Sequence, residues 1–204
     1  MNIIYIHVCA INTYKEVFLY LIQCIKESGL YNEIQEIRCC ILGEFDYSIF
    51  KDEKIKIRAT SSDISLYEVF TLNYLHEDCK QENMNVLYLH TKGIKYPHVN
   101  TQSWVEYMCY FNIYQYKKCL EILCDHDTAG VNLHTFDVVH YSGNFWWATS
   151  NYIRTLEPCK YTQYNSPEFW LTEKNKGKYF CLWQSNVNHY RTLYPLELYK
   201  DSIK

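Results

Sequence analysis

Short, unbroken apolar runs alternate along this chain with amphipathic stretches, and the alternation predicts the fold. Ile3-Ile4-Tyr5-Ile6-His7-Val8-Cys9 and Val86-Leu87-Tyr88-Leu89 read as strands without polar alternation. Such runs must be covered on both faces, so both are expected at the centre of a sheet. Residues 36–42 form a second strand that stops at Gly43. Residues 55–59 form a third, edge-like because Lys54, Lys56 and Arg58 alternate with its apolar positions. Val17, Phe18, Leu21, Ile22 and Ile25 make one helical stripe that ends near Gly29. Thr13-x-x-Glu16, Ser65-x-x-Glu68 and Ser103-x-x-Glu106 match the capping box, in which hydroxyl and carboxylate satisfy each other's backbone donors, and each predicts a helix start. The third helix carries Trp104, Met108 and Phe111 on its core stripe and reaches about Leu123.

Further along, residues 129–133 read as a strand, followed by a loop with His134 and His140 and by Ser142-Gly143-Asn144-Phe145-Trp146-Trp147-Ala148. Thr149 or Ser150 caps a short helix through Ile153 and Leu156, Ser166-Pro167-Glu168 opens another with proline at its first position, and residues 179–183 form the last strand. The order β-α-β-β-α-β and its continuation predict an α/β protein with a mostly parallel central sheet flanked by helices. At 204 residues the chain supports one substantial core, burying about 70% of its unfolded surface.

Composition narrows the classes. A net charge of -3 with scattered Lys and Arg excludes the clustered basic face of a nucleic-acid binder. No 18-residue apolar run and no basic, small-residue leader at Met1–Cys9 are seen, so neither a membrane span nor secretion is expected. The ten cysteines include no C-x-x-C and accompany no N-x-Ser/Thr acceptor, which suits small core residues in a reducing, cytoplasmic setting better than a disulfide framework or a zinc site. The excess of Tyr, 21 against 6 Gly and 4 Pro, fits an AT-biased genome.

The central strand 86–89 runs straight into His90-Thr91-Lys92-Gly93. Open α/β sheets bind ligands at the carboxyl ends of such strands, and this one offers an imidazole, a hydroxyl, a cation and a flexible backbone. Two acidic motifs compete for attention. Asp125-His126-Asp127 lies between a helix end and a strand start, where an acidic turn explains it, and Glu44-Phe45-Asp46 reads as an exposed loop beyond Gly43. His7, inside the first strand, reads as an interior histidine with a satisfied tautomer.

The first strand with His7 and its helix ending Ser28-Gly29-Leu30-Tyr31, the Tyr88-Leu89-His90-Thr91-Lys92-Gly93 strand end, and Ser142-Gly143-Asn144-Phe145-Trp146-Trp147 followed by Pro167-Glu168-Phe169-Trp170 together resemble a family of small glycosyltransferase-like proteins of bacteria and large DNA viruses. The same succession is similar to polysaccharide-synthesis proteins of the rhamnan-synthesis F type. The resemblance covers nearly the whole chain. It implies a single GT-A-like domain over residues 1–204, with a nucleotide-binding half at 1–93 and an acceptor and sugar-binding half at 94–204. It also implies a nucleotide-sugar donor, UDP-linked or another nucleoside diphosphate sugar, and a glycan acceptor, in the host cytoplasm if the source is viral.

In that family an Asp-x-Asp motif ends a central strand and holds Mn²⁺ or Mg²⁺ against the donor diphosphate, whereas here His90-Thr91-Lys92 stands in its place. Lys92 brings positive charge to the phosphates directly, His90 is expected to help orient them, and a divalent metal stays undecided. Ala10, Ile11, Asn12 and Asp63, with Ser61, Glu68 and Thr71 nearby, are the nucleotide-side candidates, although the last two equally suit a helix surface; His189 could return to the diphosphate. Gly143, Asn144 and Trp147 are the sugar-side candidates, by close backbone approach, amide hydrogen bonding and ring stacking. Strand alternation puts Phe145 and Trp147 on one face and Trp146 on the other, so at least one face is core. Glu168 is the leading general base, which would make the reaction inverting, with Asp137 in reserve. A domain of the same shape that binds nucleotide sugar or glycan without turnover is the alternative. A nucleotidyltransferase is disfavoured because the Ala10-Ile11-Asn12 turn lacks glycine.

Overall fold

In the computed structural model, which describes residues 1–95, 98–174 and 176–200, the two unbroken apolar runs lie side by side at the middle of a sheet. β1 (Asn2–Cys9) pairs in parallel with β2 (Glu36–Leu42) on one side and β4 (Asn85–His90) on the other, and β3 (Ile55–Ser61) closes the edge beside β2. Beyond β4 come β5 (Thr128–Gly130), the small hairpin β6 (Leu133–His134) and β7 (His140–Tyr141), β8 (Trp146–Thr149) and β9 (Tyr179–Cys181). The seven-stranded order is β3-β2-β1-β4-β8-β5-β9, and only β8 runs antiparallel to its neighbours. β8 joins the strands of residues 1–93 to those of 94–204 in one sheet, a mixed α/β architecture in a single domain.

Alternate residues of the central strands feed two cores. Ile4, Ile6, Val8, Leu87 and Leu89 face one layer, formed by α1 (Tyr14–Glu27), the four-residue α2 (Leu30–Glu33) and a helical segment following β4. Ile3, Tyr5, Val86 and Tyr88 face the other, formed by α3 (Val69–Gln81) and later helices. This two-sided burial is why neither run shows polar alternation. On the second face, Arg38 of β2 and Arg58 of β3 converge on Asp78 of α3 at 3.1 and 2.9 Å, and the Tyr5 hydroxyl donates to the same carboxylate. The charges that mark β3 as an edge therefore also stitch it to the helix above.

Capping differs from the sequence expectation at all three boxes. Thr13 precedes α1 without a side-chain cap bond. Ser65 lies in a short 3₁₀ turn held by Asp63, α3 starts only at Val69, and Glu68 turns inward. The third helix starts earlier, as α4 (Val99–Cys109) capped by His98, so Ser103 is an interior position whose hydroxyl donates to the Tyr194 carbonyl. Nor does that helix run unbroken. A π turn at Tyr110–Tyr114 separates it from α5 (Tyr116–Ile122), and the turn leaves the Asn112 carbonyl free to accept from the Trp147 indole at 2.8 Å. The remaining helices are short: α6 (Ser150–Ile153), capped by Thr149, one of the two residues expected, and α7 (Ser166–Trp170), which Asn165 precedes without a side-chain cap bond.

All ten cysteines are free and most are buried. No helix among the described residues is long and apolar enough to cross a membrane.

Candidate functional site

The strand order reverses at β1 and β4, and their carboxyl ends carry the candidate site. Thr91 ties the two together: its N–H donates to the His7 carbonyl at 3.0 Å and its hydroxyl accepts from Cys9 N–H at 3.2 Å. The chain then turns at Gly93, whose φ of 84° suits glycine, and the Lys92 ammonium comes to rest 4.1 Å from the centre of the Trp104 ring on α4. Burial lowers the Lys92 pKa, and Glu168 and Glu68 oppose that shift, so the ammonium sits in the field of two carboxylates.

Behind the lysine, the polar groups form a continuous chain of bonds. Glu68 accepts from the Tyr88 hydroxyl at 2.8 Å and from the Asn144 amide at 2.7 Å, and its other oxygen stands 3.8 Å from His90 Nδ1. His90 Nε2 faces the Gly143 carbonyl at 3.0 Å; since a carbonyl can only accept, the proton is on Nε2. The Gly143 N–H in turn donates to Glu168 at 2.6 Å. Burial and then the Lys92 charge push the His90 pKa down to about 3, so its imidazole is neutral near pH 7.

This geometry revises several sequence expectations. His90 fixes the Gly143 peptide and carries no positive charge toward a phosphate. Asn144 is buried with both ends of its amide bonded, to Glu68 and from the Trp146 indole at 2.8 Å, so it braces the site from within. Trp147 is 0% exposed and belongs to the core against Asn112 rather than to a stacking surface. Gly143 has φ 95° and packs against α4, where an added Cβ would stand 3.0 Å from the Trp104 ring and would strike the Met108 sulfur. A Gly143→Ala variant should therefore lose about 2–3 kcal/mol, measurable as a lower urea midpoint, because left-handed backbone and overpacking add. An unchanged midpoint would mean that the turn has another conformation.

His189 is buried with its ring stacked on Trp104 at 5.2 Å and accepts from the Asn132 amide at 3.1 Å. Burial, then Lys92, lowers its pKa to about 4, which makes it a neutral pillar near the lysine. On the nucleotide side, the Ala10 N–H donates to the Leu42 carbonyl and Asn12 turns with φ 47°. Asp63 is exposed and accepts from Ser65 N–H at 2.9 Å. Ala10 and Ile64 both lie against Gly43. Thr71 is buried under His7, with 2.7 Å between Oγ1 and Nδ1, so neither is a surface group. Asp127 holds the Lys178 N–H at 2.8 Å at the amino end of β5, the turn role expected for Asp125-His126-Asp127. The reserve base Asp137 is an exposed residue of the loop after β6.

Two clefts adjoin the Lys92–Trp104 pair, one on each residue. One of about 500 Å³ is lined by Lys92, Gly93, Glu16, Tyr20 and Gln102. The other, about 700 Å³, is lined by Trp104, His189, Tyr190, Asn132 and Ser142. Neither is lined by Ala10, Ile11, Asn12 or Asp63. Glu68, which sequence reasoning named only as a nucleotide-side candidate or a helix-surface residue, is the carboxylate that gathers Tyr88 and Asn144. Its signal was Asn144, whose amide is costly to bury without a strong acceptor.

A divalent ion does not fit these groups. The strand end presents an ammonium and a neutral imidazole already bonded to Gly143, and the carboxylates of Glu68 and Glu168 each hold protein donors. No cluster of three or more His, Cys, Asp or Glu able to hold a metal occurs among the described residues.

A family model described as Domain of unknown function (DUF8361) matches residues 42–187, and the chain belongs to that family. The match spans Glu68, Lys92, Gly143 and Glu168 but not β1, α1 or His189. No curated protein matches the chain.

Proposed function

We propose that this protein is a GT-A-like glycosyltransferase that moves a sugar from a nucleotide-sugar donor to a hydroxyl of a glycan. One observation carries the reading: Lys92 follows a central strand where the strand order reverses, lines a cleft of about 500 Å³, and lies over Trp104, which lines another of about 700 Å³. Both volumes lie in the range of roughly 300–1,000 Å³ usual for small-molecule sites. Strand reversal is also where open α/β sheets bind nucleotides.

The chemistry follows from the charges. The acceptor oxygen attacks the anomeric carbon while Glu168 takes the hydroxyl proton. The bond from that carbon to the diphosphate oxygen breaks, its electron pair leaves with the diphosphate, and Lys92 faces the charge that develops. A base on the side opposite the leaving group makes the reaction inverting. Glu168 is held in place for this by the Gly143 N–H on one of its oxygens, which leaves the second to receive a proton.

Titration of the protein with nucleoside diphosphates and their sugars tests the reading, and binding of none of them would end it. Glu168→Gln should slow transfer by about 10²–10⁴-fold with donor binding kept, the usual range for loss of a general base. Full transfer by that variant would remove Glu168 from the role. The competing reading, a nucleotide-sugar or glycan-binding module without turnover, is favoured by one contact: Glu168 already serves the fold by accepting from Gly143. Donor binding with no transfer or hydrolysis under any acceptor would select it.

A further inference from the structure

Large aromatic rings exposed to water have a cost, and this chain gathers several at one edge of the site. Tyr67, Tyr161 and Tyr164 are 43%, 50% and 75% exposed. Tyr67 and Tyr161 lie face to face, with centroids 5.3 Å apart and planes 9° from parallel, and Tyr164 meets Tyr67 edge-on at 6.1 Å. Tyr67 has φ 48°, a conformation that a bulky residue adopts only under constraint, at roughly 1–3 kcal/mol. The constraint is visible in its neighbour. Glu68 points inward to Tyr88 and Asn144, so the backbone between them must turn sharply for Tyr67 to stay outside.

The cluster is continuous with the candidate site. Tyr67 adjoins Glu68, and Tyr164 lies four residues before Glu168, just ahead of α7. Tyr190, also exposed, stands edge-on to Trp104 at 5.1 Å on the wall of the larger cleft. Its phenol pKa is raised by burial, then by Glu168 and Tyr164, which puts it within electrostatic reach of both.

We propose that Tyr67, Tyr161, Tyr164 and Tyr190 form a stacking platform for a neutral oligosaccharide, a disaccharide or longer, whose reactive end enters the site beside Glu168. The identity of this ligand as an acceptor rests on the transferase reading; its binding does not. Tyrosine suits such a ligand because the ring covers the apolar face of a pyranose while the hydroxyl meets the sugar's own hydroxyls, and few rotatable bonds need freezing. Charge bears on the class. Glu68 and Glu168 at the inner end disfavour uronates beside them, and the net charge of -3 acts in the same direction against single-stranded nucleic acid, the other common partner of stacked aromatics.

The test is an array of neutral glycans followed by calorimetric titration of the full chain with the best neutral series, with uronic-acid oligosaccharides and oligo-dT as comparators and no nucleotide sugar present. Affinity for a neutral series should rise with length. Tyr161→Ala and Tyr164→Ala should each weaken it about tenfold, the size of losing one stacked ring, while Tyr164→Phe stays within about twofold. Tyr164 is exposed enough that its replacement leaves the core intact, and thermal melting checks this. No neutral glycan bound, equal binding by the alanine variants, or tighter binding of uronates or oligo-dT would each overturn the platform. Nucleotide-sugar turnover without glycan binding would reject the platform and keep the transferase. Glycan binding without turnover would do the reverse.

Discussion

Replacing Lys92 with alanine should slow sugar transfer about 10³-fold while the protein still folds. A unit charge pair at roughly 4 Å and an effective dielectric near 20 is worth about 4 kcal/mol, and in a transferase this attraction grows as the diphosphate departs. The structural cost is smaller. The Lys92 ammonium lies over the Trp104 ring, a cation–π pair worth about 1 kcal/mol. Donor hydrolysis and transfer assayed side by side, with and without EDTA, give the readout. Turnover should survive EDTA in the wild type and collapse in Lys92→Ala. Turnover that EDTA abolishes, or a variant within about tenfold of wild type, would remove the lysine from the leaving-group role.

Acid should destabilise the fold well before its carboxylates titrate. His7, His90 and His189 are all buried, and burial lowers their pKa values to about 4, 3 and 4. In the unfolded chain a histidine titrates near 6.5. Between about pH 4 and 6.5 the unfolded state therefore binds protons that the native state refuses, and stability rises with pH across that window. It is full above about 6.5 and is lost as pH falls, by about 2 kcal/mol per histidine at about pH 5. Urea midpoints at about pH 7.5 and 5 should differ accordingly. The imidazole proton resonances of these three histidines should not titrate down to about pH 5 in the native protein; a midpoint near 6.5 for any of them would show that the ring reaches water.

The strands were largely legible because their signal is local. β2 ends at the residue before Gly43, and the two unbroken runs take the centre of the sheet. The single antiparallel strand was not legible, since a short apolar run such as Trp146–Thr149 carries no mark of direction. Capping patterns misled for a physical reason. Ser65-x-x-Glu68 and Ser103-x-x-Glu106 have the right spacing, but Glu68 gains more from two buried donors, and Ser103 from the Tyr194 carbonyl, than either gains from a helix end. For the site, the place of Lys92 just past the end of a central strand could be read from residue type and pattern, while the bond between Glu168 and Gly143 could not. Asn144 and Trp147 could not be assigned, because an amide or an indole that binds a sugar and one that braces a turn look alike until their partners are known. Those partners lie 76 and 35 positions away along the chain.

Gly143 is a pivot between two peptide planes. Its carbonyl, in the plane shared with Asn144, receives His90 from the central strand, and its N–H, in the plane shared with Ser142, holds Glu168 from the short helix α7. A helix of five residues has little stiffness of its own, and Glu168 borrows its placement from β4 through this one residue. The two planes meet at a Cα whose φ of 95° suits glycine, so the torsions of one glycine set how the carboxylate stands relative to the imidazole.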